Sequence, residues 1–125
     1  MRLLLDTHVV LWWLGDDKRL STAAREEIVD AADVRISAAS VWEISIKRVL
    51  GRLDLPSDYL DHVEQSRIRP LPITAEHADA AGSLPRHHDD PFDRMLVAQV
   101  RIEGLTLVTA DRRLGDYGVA VLAAG

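Results

Sequence analysis

Cysteine is absent from the 125 residues. That excludes disulfide scaffolds and thiolate zinc sites, and it suits a reducing cytoplasm, where the protein is expected. Long apolar runs are missing too. Nothing approaches the ~20 residues that span a bilayer, and Leu3-Leu4-Leu5 is cut off by Asp6, too short for the core of a signal peptide. There is no basic excess either: 20 acids face 15 Lys and Arg, for a net charge of −5. A simple nucleic-acid-coating module with a basic face is therefore disfavoured. A nuclease is not, because clustered acids can hold divalent cations that reverse the local field. No repeat, low-complexity tract or linker interrupts the chain, which predicts a single domain over residues 1–125. With 47% hydrophobic and 28% charged residues it has an ordinary globular balance and enough length to bury a core.

Two kinds of segment alternate. Short apolar or β-branched runs predict strands at Arg2–Leu5, Val34–Ser37, Arg69–Ile73, Leu105–Thr109 and Val119–Leu122, the third placed at an edge by Pro70. Helical patterns lie between them at His8–Leu14, Ser21–Ala32, Ala38–Leu50, Ser57–Ser66, Thr74–Leu84 and Pro91–Glu103. Ser21 is an N-cap candidate and Gly51 a stop signal. Strands that alternate with helices imply βαβ crossovers and a mainly parallel sheet covered on both faces, an α/β architecture.

The densest chemistry lies in His87-His88-Asp89-Asp90-Pro91-Phe92-Asp93-Arg94. Asp90 followed by Pro91 fits the N-cap and first positions of a helix. Asp93 then shares a helical stripe with Leu96, Val97 and Val100, where a carboxylate is costly unless something positive meets it. In open α/β sheets, sites form beyond the carboxyl ends of the strands, at the switch in strand order. Asp6 closes the first strand, Asp111 follows the fourth by two residues, and Glu43 lies early in the helix after the second. Glu43 borders an apolar stripe of Ala39, Trp42, Ile46 and Leu50. Asp93 opens a helix that runs antiparallel to the strand it feeds, so it returns to the same rim.

Each acid has a plainer alternative. Asp6 could cap the helix near His8, Glu43 could pair with Lys47, Asp93 could favour a helix dipole, and Asp111 could be a turn residue. Four such accidents on one rim are less economical than one site. Oxygen ligands without cysteine select Mg²⁺ or Mn²⁺, and metal-assisted phosphodiester hydrolysis is the leading reaction class. His87 and His88 read as bystanders in a loop. Trp12, Trp13 and Trp42 read as core. Arg94 and Arg112 could equally neutralise neighbouring acids or reach a phosphate.

Leu3-Leu4-Leu5-Asp6-Thr7-His8-Val9, Ser40-Val41-Trp42-Glu43-Ile44, Asp90-Pro91-Phe92-Asp93-Arg94-Met95-Leu96 and Leu107-Val108-Thr109-Ala110-Asp111 together resemble a PIN domain. More narrowly they resemble the VapC toxins of type II toxin–antitoxin pairs. The likeness runs over nearly the whole length in the same segment order. It implies a three-layer α/β/α fold with sheet order 3-2-1-4-5. It also implies a Mg²⁺-dependent endoribonuclease (Mn²⁺ substituting), silenced by a VapB-type antitoxin and commonly a homodimer. Asp6 and Asp93 would be the principal metal ligands. Glu43 and Asp111 would complete the pocket, partly through waters, with Asp116 as a nearby alternative for the fourth acid. Thr7 matches a small hydroxyl beside the first acid, and with Arg94 and Arg112 it is the candidate substrate contact.

Two other readings compete. A haloacid-dehalogenase-like phosphatase also ends its first strand in Asp, but wants a second Asp where His8 stands. A PIN-like interaction module could keep the acids only to bind a basic peptide.

Overall fold

The computed structural model describes residues 1–125 throughout. Five strands, β1 (Arg2–Leu5), β2 (Asp33–Ser37), β3 (Ile68–Leu71), β4 (Thr106–Thr109) and β5 (Val121–Ala123), form one sheet of order β3-β2-β1-β4-β5. Every pairing is parallel, and β1 is central, with Leu5 opposite Ile36 on one side and Val108 on the other. Helices α1 (Thr7–Leu14), α2 (Thr22–Asp30), α3 (Ala38–Val49), α4 (Tyr59–Gln65), α5 (Ala75–Ser83) and α6 (Pro91–Glu103) connect the strands. A 3₁₀ turn at Arg112–Tyr117, not foreseen in the sequence, leads into β5.

Strand alternation explains why β1 can be leucine on every inward position. Leu3 and Leu5 join one apolar cluster with Val9, Val10, Ile28, Ile44 and Val63. Leu4 turns to the other face and meets Leu96, Val97, Val100 and Leu107. Both faces are therefore covered, and each fully buried leucine contributes roughly 2 kcal/mol. No helix is long and apolar enough to cross a membrane.

Element ends follow local chemistry. Ser21 caps α2 through Ala24 N–H, and Thr74 with His77 forms a capping box at α5. Gly104, at φ 67°, takes the left-handed position that ends α6. β3 begins at Ile68 and stops at Leu71, ahead of the expected Ile73, and Pro70 is tolerated because β3 is an edge. The fourth helix is shorter than expected because the turn at Pro56–Asp58 occupies its predicted start.

The tryptophans do not all join the core. Trp12 and Trp13 are half-buried against the Leu3 cluster, but Trp42 is 63% exposed, edge-on to Phe92. The expected inward stripe of α3 is in fact rotated. Ile46 and Leu50 lie outside with Trp42, and the buried face is Ala39, Ser40, Glu43 and Ile44. The cause is a polar network, described below, that draws Glu43 inward.

Candidate active site

Asp6 emerges from β1 at its carboxyl end, where its backbone N–H continues the ladder to Val108 O at 3.0 Å. Its side chain also caps α1: Oδ1 accepts from Val9 N–H at 2.9 Å, and Oδ2 accepts from the Thr109 hydroxyl. The cap alternative and the cleft position thus hold together. Asp6 is 6% exposed, and burial pushes its carboxyl up against the opposing pull of the Thr109 and Val9 hydrogen bonds.

Asp93 sits in the first turn of α6, held there because Asp90 Oδ1 accepts from Phe92 N–H at 2.8 Å and from Asp93 N–H at 3.3 Å. Its carboxyl is pushed up to about 7. Burial is the main cause, and the charges of Asp90, Asp6 and Glu43 add to it while His88 opposes them. Glu43 is 7% exposed. Its Oε1 accepts from the Thr7 hydroxyl at 2.6 Å, and its Oε2 meets Lys47 Nζ at 3.0 Å. Thr7 therefore orients Glu43, with Ser40 Oγ 2.9 Å away, and not Asp6. That role falls to Thr109.

Asp111 caps the 3₁₀ turn through Arg113 N–H at 3.0 Å. The Arg113 guanidinium grips it with Nε on Oδ1 at 3.1 Å and Nη2 on Oδ2 at 2.9 Å. These bonds, with His88 adding to them, hold its carboxyl down at about 2 despite partial burial. Asp6, Asp93 and Asp111 line a common open cleft of about 440 Å³ with His8, Trp12 and His88. Glu43 reaches it electrostatically from behind Thr7. Asp116 is exposed on the 3₁₀ turn and takes no part in the lining.

His88 is no bystander. Its side chain is only 8% exposed, with Nε2 at 3.0 Å from Asp111 Oδ2 and 3.3 Å from Asp93 Oδ2. Nδ1 accepts from Asp90 N–H at 3.0 Å, so the ring proton belongs on Nε2, between the two carboxylates. Only the spacing to Asp90 hinted at this, because the partner Asp111 is 23 residues away. His87 packs on Tyr117 instead.

The arginines also redistribute. Arg94 points back into the α5–α6 loop, donating to the carbonyls of Ala81, Leu84 and Pro85 at 2.9–3.0 Å and of His88 at 3.4 Å. It neither neutralises an acid nor is free for a phosphate. Arg112 is exposed and outside the cleft lining, whereas Arg113, not singled out beforehand, is in it.

A divalent cation fits this chemistry. His88, Asp93 and Asp111 each offer an atom within 4.8 Å of the others, a group that does not include Asp6, which shares only the cleft lining. Burial, with the neighbouring carboxylates adding to it, has raised Asp93, and a cation beside it would favour its charged form. Because His88 Nε2 carries a proton, the carboxylates are the better donors.

The fold and cleft define a class. The PIN domain family model matches residues 3–120, and the chain belongs to that family. Within it the chain is VapC-like: it is 36% identical to Ribonuclease VapC22 of Mycobacterium tuberculosis (strain ATCC 25618 / H37Rv) over 117 residues, covering 91% of this chain and 90% of that protein. Two solved structures share the fold. VapBC2 from Rickettsia felis, bound to a promoter DNA fragment, has a TM-score of 0.74 at 13% identity over the whole of both chains. DNA-bound VapBC from Salmonella typhimurium has 0.73 at 18% identity, covering 100% of this chain and 99% of that one. Family membership displaces the phosphatase alternative.

Proposed function

We propose that this protein is a divalent-metal-dependent endoribonuclease, the toxin of a type II toxin–antitoxin pair, restrained by a VapB-type antitoxin. The observation that carries the reading is the convergence of Asp6, Asp93 and Asp111, from separate segments, on one open cleft at the carboxyl rim of the sheet. Burial raises the Asp93 carboxyl there to about 7, and perturbed acids gathered in a cleft are a mark of functional sites. The 36% identical relative is named a ribonuclease, and the VapBC complexes that share the fold support an antitoxin partner.

Asp6 and Asp93 would hold the Mg²⁺ or Mn²⁺, and Glu43 and Asp111 would complete the pocket around it, partly through waters. When bound, the metal lowers the pKa of a coordinated water and offsets charge on the phosphodiester. Thr109 and Val9 N–H fix Asp6, Thr7 fixes Glu43, and the Asp90 cap fixes the start of α6 beneath Asp93. Hydrolysis forms a bond from water oxygen to phosphorus and breaks a bridging P–O bond. A homodimer belongs to the same reading, and the exposed α3 residues Trp42, Val49 and Leu50 support it.

RNA cleavage with Mg²⁺ or Mn²⁺, with EDTA, and in Asp6→Asn and Asp93→Asn tests this. A metal contribution of several kcal/mol corresponds to losses of at least about 100-fold in each variant. Cleavage in EDTA would remove the mechanism. Binding of RNA or antitoxin without any cleavage would favour a non-catalytic interaction module.

A further inference from the structure

The cleft poses an electrostatic problem for the substrate just proposed. A phosphodiester must approach several carboxylates on a protein of net charge −5, and a cationic side chain at the cleft would receive it beside the metal. The arginines near the cleft differ sharply in what they are free to do. Arg94 spends both terminal nitrogens on backbone carbonyls. Arg112 does not line the cleft. Arg113 does, and its side chain is 67% exposed.

We propose that Arg113 is the phosphate-binding residue of the cleft and that Asp111 positions it. This rests on the ribonuclease reading. A guanidinium has five N–H donors in a planar fork. Nε and one Nη2 hydrogen meet Asp111 at 3.1 and 2.9 Å; Nη2 and the protonated His88 Nε2, 3.2 Å apart, both donate to Asp111 Oδ2 and do not bond each other. The Nη1 edge has no partner within the protein and is left for a phosphate oxygen. The Asp111 pair thus orients the fork without consuming it. Asp111 itself is the least available of the cleft acids. Oδ1 receives Arg113 N–H and Nε, and Oδ2 receives Arg113 Nη2 and His88. Its principal work is to hold Arg113 over the cleft, and any part it takes around a cation is through water.

The test is binding of a short mixed-sequence single-stranded RNA to the full chain, with Ca²⁺ replacing Mg²⁺, over a series of salt concentrations. Steady-state cleavage in Mg²⁺ and calorimetric Mn²⁺ binding without RNA accompany it. In Arg113→Ala, RNA affinity is expected to fall about tenfold. The slope of log affinity against log salt should lose about 0.7, the share of one phosphate contact on a single strand. KM should rise more than kcat falls, and Mn²⁺ affinity should not decrease. Arg113→Lys should restore the slope but only part of the affinity, since an ammonium lacks the fork. Asp111→Asn should add little to Arg113→Ala in a double-mutant cycle.

The proposal is overturned if Arg113→Ala binds RNA like wild type while wild type cleaves. It is equally overturned if Arg112→Ala loses as much, which would mean general charge attraction. Mn²⁺ binding abolished by Asp111→Asn as fully as by Asp93→Asn would overturn the positioning role. A wild type that neither binds nor cleaves RNA removes the ribonuclease reading and this proposal together.

Discussion

Asp93 and Asp111 are neighbours in the cleft with opposite electrostatic fates. Burial and the charges of Asp90, Asp6 and Glu43 push Asp93 up to about 7, while Arg113 holds Asp111 at about 2. The two act on stability in different pH windows. Between the ordinary value of 3.8 and about 7, the folded metal-free protein keeps a proton on Asp93 that the unfolded chain has released. The native state binds more protons there, so stability declines as pH rises through the window. Asp6, also raised, acts in the same direction. Asp111 and Asp33 are both held at about 2, so they stabilise above 3.8 and lose that contribution as pH falls towards 2. Urea midpoints of the EDTA-treated protein should therefore decrease from about pH 4 to about pH 7, and Asp93→Asn should flatten that decline. A wild type whose midpoint rises across this range, or a variant with the same slope, would show that Asp93 does not carry the strain.

At the scale of elements, the start of α6 shows what could be read in advance and what could not. Asp90-Pro91 announced a cap and first turn, and the stripe of Leu96, Val97 and Val100 announced the inward face; each depends on residues within one or two turns. The parallel sheet and the shared rim of Asp6, Asp93 and Asp111 followed from alternation of elements, again a local signal. The destinations of long polar side chains were hidden, because their partners come from distant segments. Arg94 and Arg113 look alike in sequence. One finds carbonyls 6 to 13 residues earlier, and the other finds an acid two residues back that His88 also meets across the cleft. Trp42 was misplaced for a related reason: hydrophobic periodicity cannot anticipate that Thr7 and Lys47 will secure Glu43 on the buried side of α3. Arg94 carries a test at this scale. Its fork ties the end of α5 and the loop to α6, so Arg94→Ala should cost about 2 kcal/mol in urea unfolding by orphaning several carbonyls. Arg94→Lys should recover less than half, because an ammonium cannot span the same acceptors. Undiminished stability in both variants would return Arg94 to the pool of possible phosphate contacts.

For the whole molecule, the buried acids Asp6 and Asp93 are a cost of folding in the metal-free protein, whereas Asp111 is not. The acids of the site come from the end of β1, α3, α6 and the turn after β4, segments that only the finished sheet brings together. The unfolded chain therefore offers no comparable site, and under the proposed metal dependence binding would couple to folding. At a Mg²⁺ concentration of about 100 times its dissociation constant, linkage contributes roughly 2.7 kcal/mol. For a chain of this length that amounts to a rise in Tm of about 10 °C. A net charge of −5 also responds to ionic strength, so the comparison must be made against NaCl at matched ionic strength. Mg²⁺ should raise Tm well beyond the NaCl control in wild type and by much less in Asp93→Asn. That variant should itself melt higher than wild type in EDTA at pH 7.5 or above, where the native carboxylate is strained and the amide is not. Equal Mg²⁺ shifts in the two proteins would mean that the ion acts on the net charge alone and that Asp93 serves only the start of its helix.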